Sequence, residues 1–345
     1  MNIFLKKRIM AYSAVLLLIL IISSFFIKVE TINIEGEKII PVVIRNSEKG
    51  SIDFNENDYF KKYTINCTKD IVDLKLKENN SSFQITLDKT EIANIDVNND
   101  DKISLSEVNS EANKTSFIID FKKLNEDENY VHLDYSNKKK ILVFIKKKNS
   151  PYKYKVVVDP GHGGVDVGVP YGKVFEKDIN LKISKYMVDN FRYNGYEVIL
   201  TRDKDMEFDK IVKQDLIKRA AIANDNKADV FVSVHVNSNK ETHEYNGVST
   251  YNYDAAGAQK TEGIKLAQTI QKEILKSDGW KNMGEHGENL SVLRRTKMPG
   301  ALVECGFLTN PQDRAKLLKE ETLVNFGLNI SNGVIKYLTQ AKTNK

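Results

Sequence analysis

Residues 156–168 constrain the fold of this chain most, because they join a β-branched run to a glycine-rich turn. The valines at 156–158 are typical of a buried strand, and an Asp-Pro pair ends the run. The glycines that follow let the backbone turn tightly and approach another group closely. His162 lies within this turn, which makes it a candidate ligand, although an ordinary loop histidine is the alternative.

From residue 155 onward, strand patterns alternate with helix patterns. Residues 179–194 carry apolar side chains four positions apart, which predicts a helix that ends at Gly195. Later helices are predicted around Leu216, over residues 264–275 and near the C-terminus. This alternation predicts an α/β fold, with a mostly parallel sheet and helices on both faces. The predicted strands cover residues 156–158, 196–200, 230–235, 248–253 and 301–304.

Residues 29–148 show a different pattern, with short apolar runs between clusters of Asn, Asp, Ser and Lys. Such spacing predicts a small β-rich domain, and its isolated His132 is interpreted as a surface residue. Residues 149–154 are a predicted linker, and residues 155–340 form the predicted C-terminal domain. The predicted strands of the β-rich domain cover residues 39–44, 82–87, 116–121 and 141–145.

An apolar segment at residues 9–27 is nearly long enough to cross a bilayer as a helix. Basic residues at positions 6–8 precede it, and the positive-inside rule then places the N-terminus in the cytoplasm. We therefore expect residues 1–28 to form an uncleaved anchor, so that the protein is a single-pass membrane protein with its remaining domains outside. A cleaved signal peptide, giving a secreted protein, is the alternative.

Residues 96–107 have the spacing of an EF-hand calcium loop. At its sixth position Asp101 replaces the glycine that makes the sharp turn, so a polar turn without calcium is the alternative interpretation. The candidate calcium ligands are Asp96, Asn98, Asp100 and Glu107.

The two cysteines, Cys67 and Cys305, are expected to be unpaired, because two distant cysteines make a poor disulfide framework. The net charge of +5 would suit an anionic surface such as a cell wall, but solvated lysines explain it equally well. We expect a monomer without a nucleic-acid partner.

Four polar residues stand at equivalent places in the α/β region. His162, His235 and Glu304 each follow or end a predicted strand, and Glu176 precedes a predicted helix. Ligands of open α/β sheets bind beyond the carboxyl ends of the strands, so these side chains are expected to meet in one crevice. Two imidazoles and one carboxylate form the ligand set of a catalytic zinc, and the remaining carboxylate could serve as a base.

Each of these residues also has a simpler explanation. Glu176 could be a charge favoured at a helix N-terminus, and His235 could be a buried histidine with satisfied hydrogen bonds. Glu304 is harder to explain in this way, because a carboxylate at the end of an apolar strand is unfavourable unless it is paired or solvated.

Several separated motifs follow one another in the α/β region: VDPGHGG at 158–164, FEK at 175–177, TR at 201–202, Arg219, AN at 223–224, SVHVN at 233–237, VLR at 292–294, MP at 298–299 and LVECGFLTN at 302–310. Together they resemble the motifs of the zinc-dependent N-acetylmuramoyl-L-alanine amidases of the Amidase_3 type. The resemblance extends over about residues 155–340 and follows the order of that family.

This resemblance implies that His162, Glu176 and His235 bind zinc and that Glu304 is the catalytic carboxylate. The implied reaction is hydrolysis of the amide between N-acetylmuramic acid and L-alanine in peptidoglycan. A zinc peptidase acting on the stem peptide and a non-catalytic wall-binding protein are the alternatives. By position, Asn237 and Arg294 are expected to contact the glycan or the peptide.

The chain departs from parts of the family. The stretch 235–251 is too short for the helix-bearing insertion that blocks the site in some relatives, so that form of autoinhibition is not expected. A wall-targeting role is one interpretation of residues 29–148, although no motif supports it. His243 and His286 lie outside the motifs and are interpreted as surface residues.

Overall fold

The computed structural model describes residues 28–31, 41–44, 50–71, 74–78, 82–88, 103–109, 115–122, 129–134, 137–147, 149–239, 241–253, 258–277 and 279–343. The predicted membrane segment at residues 9–27 lies outside this set, as do Asp96, Asn98 and Asp100. No helix within the described ranges is both long enough and apolar enough to cross a membrane.

The described elements are numbered here in chain order. The strands are β1 (Lys28–Thr31), β2 (Pro41–Ile44), β3 (Ser51–Glu56), β4 (Phe60–Asn66), β5 (Lys75–Glu78), β6 (Ser82–Asp88), β7 (Ile103–Asn109), β8 (Thr115–Lys122), β9 (Asn129–Asp134), β10 (Asn137–Lys146), β11 (Lys155–Pro160), β12 (Pro170–Tyr171), β13 (Val174–Phe175), β14 (Glu197–Leu200), β15 (Val230–Asn237), β16 (Val248–Tyr253), β17 (Asn282–Glu288) and β18 (Gly300–Phe307). The helices are α1 (Glu176–Tyr193), α2 (Val212–Asp225), α3 (Ala258–Ile274), α4 (Ser291–Arg295), α5 (Pro311–Leu317) and α6 (Glu320–Thr343).

A six-stranded sheet with the order β14-β11-β15-β18-β16-β17 organises the C-terminal part of the chain. Neighbouring strands are parallel except for β16 and β18. The sheet is therefore mostly parallel, as predicted, and this one antiparallel pair makes it a mixed sheet. The short connection at residues 238–247 between β15 and β16 explains this exception. It makes β16 run opposite to β15, and therefore opposite to β18, which is parallel to β15. A parallel return requires a crossover of a dozen or more residues, and this connection is shorter.

Helices cover both faces of this sheet, as predicted. Alternate residues of each strand point to opposite faces, so Val156 and Val158 pack with α1, α3 and α6. Val157 and Phe231 point to the other face and pack with Ala223 of α2 and with α4. Near-continuous apolar strands such as β11 are buried because both of their faces are covered.

The chain divides into two compact units. The first contains residues 1–52, 66–78 and 83–121, and the second contains residues 53–65, 79–82 and 122–345. Within the first unit, β5, β6, β8 and β7 form a four-stranded sheet. Cys67 in the first unit and Cys305 in the second are both buried, and neither takes part in a disulfide, which confirms the prediction made for them.

The second unit also contains most of a four-stranded sheet with the order β3-β4-β10-β9. Phe144 of β10 packs edge-on against Phe60, with ring centroids 6.5 Å apart, and against Tyr193 of α1, at 6.1 Å. Asn57 donates a hydrogen bond to the Tyr193 carbonyl at 2.6 Å. Strands from both sides of the predicted linker thus share one unit, and the boundary near residue 148 stays a prediction.

Glu107, the last position of the predicted calcium loop, lies in β7 and pairs with Phe117 of β8. An EF-hand loop is followed by a helix at this point, so the strand is a departure from that motif. Calcium binding by residues 96–107 stays a prediction.

Ile330 of α6 is fully buried in the core, whereas Leu328 on the same helix is 39% exposed. We predict that Ile330→Ala lowers the free energy of unfolding by about 2–5 kcal/mol, because it removes buried methyl groups and leaves a cavity. Leu328→Ala is the matched control, and its free energy of unfolding should fall much less. Urea denaturation of both variants measures the difference, and equal losses would contradict the described packing of α6.

Candidate active site

The backbone that carries His162 is held by a buried arginine on α2. Arg219 donates hydrogen bonds to the carbonyl oxygens of Pro160, at 2.8 Å, and of His162, at 2.7 Å. Its guanidinium also pairs with the buried carboxylate of Asp159, with Nη1 and Oδ1 2.9 Å apart. Three contacts from one side chain thus fix the turn on both sides of Gly161.

A second buried arginine supports the same turn. Arg202 donates from Nε to the Pro160 carbonyl at 3.0 Å and from Nη2 to the Gly161 carbonyl at 2.9 Å. The same Nη2 atom reaches the carbonyl of Lys177 in the first turn of α1, at 2.8 Å. Because one guanidinium binds both segments, the histidine turn and the start of α1 keep a fixed distance.

His162 itself has a left-handed backbone conformation, with φ of 60°. A residue other than glycine rarely adopts this conformation, and such strain is found at sites where the surrounding structure imposes it. The ring is oriented by Asp166, whose Oδ2 lies 2.8 Å from Nδ1. Its other nitrogen, Nε2, lies 3.2 Å from Oε1 of Glu176.

Glu176 is the first residue of α1, and its side chain is buried. Its Oε1 accepts a hydrogen bond from the backbone N–H of Val236 at 3.1 Å, and its Oε2 accepts one from that of Val169 at 2.9 Å. The Asn180 amide also donates to Oε1, at 3.3 Å. These donors fix the carboxylate in place, in addition to any favourable interaction with the helix N-terminus.

His235 lies near the end of β15, where the pairing with β18 contains a register shift. Its Nδ1 is 3.0 Å from Oε1 of Glu176. A Cβ atom on Gly161 would lie 2.3 Å from the His235 ring, so only glycine leaves room for the imidazole in this position. The glycine-rich turn therefore lets the His235 ring approach the backbone closely, as the sequence analysis predicted.

His162, Glu176 and His235 offer ligand atoms that all lie within 4.8 Å of one another. The two imidazole rings meet edge to face, with centroids 4.9 Å apart. Within the described part of the chain, this is the one group of three such side chains that could hold a metal ion. The structure thus brings together the three residues that the sequence analysis proposed as ligands.

The ionisation of these groups is tightly coupled. Burial alone would lower the pKa of His162, but the hydrogen bonds and charges of Glu176 and Asp166 outweigh burial and raise the pKa to about 9. Burial alone would raise the pKa of Glu176, yet its hydrogen bonds with His162 and His235 hold that pKa well below the usual range. Glu176 is therefore a carboxylate at neutral pH, as a metal ligand must be.

Glu304 stands on β18 as the register partner of His235. Its Oε2 atom is buried and has no hydrogen-bond partner among the described residues. Burial raises the pKa of Glu304 to about 7, with a further increase from the charge of Glu176, while the two histidines act in the opposite direction. A carboxyl group whose pKa lies near neutrality can both accept and donate a proton.

These four residues line a cavity of about 560 Å³, together with Asp166, Asn237 and Thr309. Arg294 does not line it; its side chain is exposed and donates to Asn289 at 2.7 Å. His243 and His286 are exposed, which confirms their interpretation as surface residues, while the side chain of His132 lies outside the described set.

Sequence reasoning assigned no role to Asp159, Asp166 or the two buried arginines. Arg219 and Arg202 were part of the quoted motifs, but spacing alone gave no sign that their guanidinium groups bind carbonyl oxygens. Asp166 had a usable signal, because a carboxylate four residues after a candidate ligand histidine can orient that histidine.

Residues 156–336 match the protein family described as "Amidase_3: N-acetylmuramoyl-L-alanine amidase". This match spans more than half of the chain. The chain belongs to the Amidase_3 family. The resemblance of its motifs is thereby confirmed, and members of this family are N-acetylmuramoyl-L-alanine amidases.

Three relatives of this Amidase_3 chain illustrate the match. The endolysin of Bacillus phage SPP1 is 42% identical over 175 residues, which are 49% of this chain and 60% of the endolysin. The germination-specific N-acetylmuramoyl-L-alanine amidase of Bacillus subtilis is 29% identical over 54% of this chain and 80% of its own length. The solved structure of amidase AmiC2 of Nostoc punctiforme is 36% identical, with a TM-score of 0.49, over 55% of this chain and 99% of that one.

The ion pair beneath the amidase site has a testable pH dependence. Burial would raise the pKa of Asp159, but the charge of Arg219 and hydrogen bonds from Thr201 and Ser233 outweigh it, so the pKa falls below its ordinary value of 3.8. A carboxyl group whose pKa is lowered on folding stabilises the fold at pH values above its unfolded-state pKa. This stabilisation is lost as the pH falls through the folded-state pKa.

We predict that Asp159→Asn lowers the free energy of unfolding at pH 7 by about 1.5–3 kcal/mol, because Arg219 loses one of its two carboxylate partners and keeps only Asp215. The difference from the wild type should shrink as the pH falls below 3.8. Denaturant titrations between pH 7 and pH 3 measure both effects. Asp225→Asn, at the exposed end of α2, is the control and should change stability by less than about 0.5 kcal/mol. A constant difference at every pH would contradict this account.

Proposed function

We propose that this chain uses a zinc ion to hydrolyse the amide bond between N-acetylmuramic acid and the L-alanine of the stem peptide in peptidoglycan. The observation that carries the proposal is the position of Glu304 in the same cavity as His162, Glu176 and His235, with its Oε2 atom buried and without a hydrogen-bond partner among the described residues. Membership of the Amidase_3 family supports the choice of bond and substrate.

The donor set fits zinc well. Catalytic zinc sites use three protein ligands of the His and Glu type and leave a fourth position open. Nε2 of His162 and Nδ1 of His235 both face the carboxylate of Glu176, so three donors converge on one point. When bound there, zinc would lower the pKa of a coordinated water and polarise the substrate carbonyl.

The surrounding residues orient these ligands. Asp166 fixes the His162 ring through Nδ1, which leaves Nε2 for the metal. The backbone N–H groups of Val236 and Val169 hold the two oxygens of Glu176 in a fixed plane. A rigid set of ligands reduces the rearrangement that metal binding and catalysis would otherwise require.

Glu304 would move the proton. Glu304 lines the same cavity, where its carboxyl group would accept a proton from the attacking water and then donate that proton to the nitrogen of the departing L-alanine. A pKa near 7 suits both transfers, because neither the acid nor the base form is then strongly favoured.

The substrate would enter through the open side of the cavity. Asn237 lines this cavity, which supports its proposed contact with the glycan or peptide. Arg294 lies outside the lining residues, so any contact it makes would involve a part of the wall polymer distant from the scissile bond.

Mutation of the ligands and of the base should have different effects. We predict that His162→Ala and His235→Ala lose zinc and activity together, because two remaining protein ligands hold zinc poorly. Glu304→Gln should keep zinc and lose activity by about 10²–10⁴-fold, since the amide has nearly the same shape but accepts no proton. Metal analysis of each purified variant, beside amine release from purified murein, measures both properties.

Asp225→Asn, which changes an exposed carboxylate, is the control for purification and loading. If Glu304→Gln lost zinc while Glu176→Gln kept it, Glu304 would be the metal ligand and Glu176 the base. Products whose new amino group lies within the stem peptide would indicate a zinc peptidase. Binding to murein without any cleavage would indicate a non-catalytic wall protein.

We further propose that residues 9–27 anchor the protein in the cell membrane, with the amidase domain on the extracytoplasmic side. The apolar run and the basic residues before it support this topology. Fractionation should then recover the full-length chain in membranes, and protease added to intact protoplasts should remove the C-terminal domain. A soluble mature form in the medium would favour secretion instead.

A further inference from the structure

Arg314 lies on α5, close to the edge of the amidase cavity. Its Nη1 donates to the carbonyl oxygens of Leu308, at 3.2 Å, and Thr309, at 3.4 Å. Thr309 is one of the residues that line the cavity. Two backbone contacts therefore hold the guanidinium at this edge, and both use the same nitrogen.

The ring of Tyr171 lies over the guanidinium of Arg314. The guanidinium carbon lies 3.7 Å from the centre of the tyrosine ring, which is a close stacking distance. Tyr171 belongs to the short hairpin of β12 and β13, and the residue before it, Pro170, lines the cavity. The Tyr171 side chain is nevertheless 48% exposed.

The positive charge of Arg314 is not used by the protein itself. Among the described residues, no carboxylate forms an ion pair with its guanidinium, whereas Arg219 pairs with Asp159 and Lys177 pairs with Asp205. Its hydrogen bonds to the described residues use only Nη1, so Nε and Nη2 remain available as donors. A planar guanidinium with two free donors is suited to bidentate binding of a carboxylate.

We infer that Tyr171 and Arg314 form an anion subsite at the cavity edge, which selects stem peptides that carry a free carboxylate next to the scissile bond. This inference rests on the proposed amidase function, since it names a specificity determinant of that same site. The stacked ring would hold the guanidinium in one plane, and the two free N–H groups would bind the two carboxylate oxygens. A carboxamide of the same shape would lack the charge and one acceptor.

Two substrates test this assignment: N-acetylmuramoyl-L-alanyl-D-glutamate and its α-carboxamide. With the zinc-loaded full chain we expect kcat/KM to be about 10-fold higher for the acid, as for a hydrogen bond to a charged group. Arg314→Gln should lower kcat/KM for the acid to the level of the amide and leave the amide nearly unchanged. Tyr171→Phe should keep the preference because the ring is retained, and Tyr171→Leu should weaken it.

Lys319→Gln is the matched control, because it removes one exposed positive charge just beyond α5 and should keep the full preference. If Arg314→Gln lowered kcat/KM equally for the acid and the amide, the stack would only hold the hairpin in place, and the proposed anion subsite would be wrong. A wild-type enzyme without any preference would overturn it as well. Cleavage of neither substrate, with intact murein also left uncut, would instead overturn the proposed amidase function.

Discussion

The site depends on one buried ion pair, that of Asp159 and Arg219, which holds the turn bearing His162. Without it, the strained backbone of His162 would lack the contacts that fix its carbonyl oxygen. The pair joins the end of β11 to α2, and Arg202 joins the same turn to α1. Burying an ion pair is unfavourable unless its hydrogen bonds are satisfied, and here the guanidinium is satisfied by carbonyl oxygens of the turn itself.

The second feature is the contrast between two carboxyl groups in one cavity. Glu176 accepts hydrogen bonds from two backbone N–H groups and lies against two histidines, so its pKa is lowered. The Oε2 atom of Glu304 is buried without a hydrogen-bond partner among the described residues, and burial raises the pKa of this carboxyl group. Environments that separate the pKa values of two neighbouring acids assign them different roles, one as an anionic ligand and the other as a proton carrier.

Much of this arrangement could be predicted from the sequence. Strand and helix periodicity placed His162, His235 and Glu304 at strand ends, and parallel topology then brought them into one crevice. The edge strand β17 was missed, because Asn282–Glu288 is mostly exposed and lacks the alternation of apolar residues that predicts a strand. The contact of Phe144 with α1 was also missed, since pairing between distant segments leaves no local pattern.

The roles of the buried arginines and of the Tyr171–Arg314 stack could not be predicted for a related reason. Arginine in a sequence is most often solvent-exposed, and burial with carbonyl partners is a property of the folded chain. Arg314 follows the last quoted motif by four residues, but its position at the cavity depends on β18 turning into α5. Long-range geometry, and not local composition, decides these contacts.

The central claim is that His162, Glu176 and His235 hold the metal while Glu304 stays free of it. Anomalous diffraction at the zinc edge from zinc-loaded crystals tests this directly. The account predicts one strong peak in the catalytic domain, about 2.0–2.2 Å from Nε2 of His162, Nδ1 of His235 and an oxygen of Glu176. A peak with Glu304 as a protein ligand in place of Glu176, or a peak away from these residues, would contradict it.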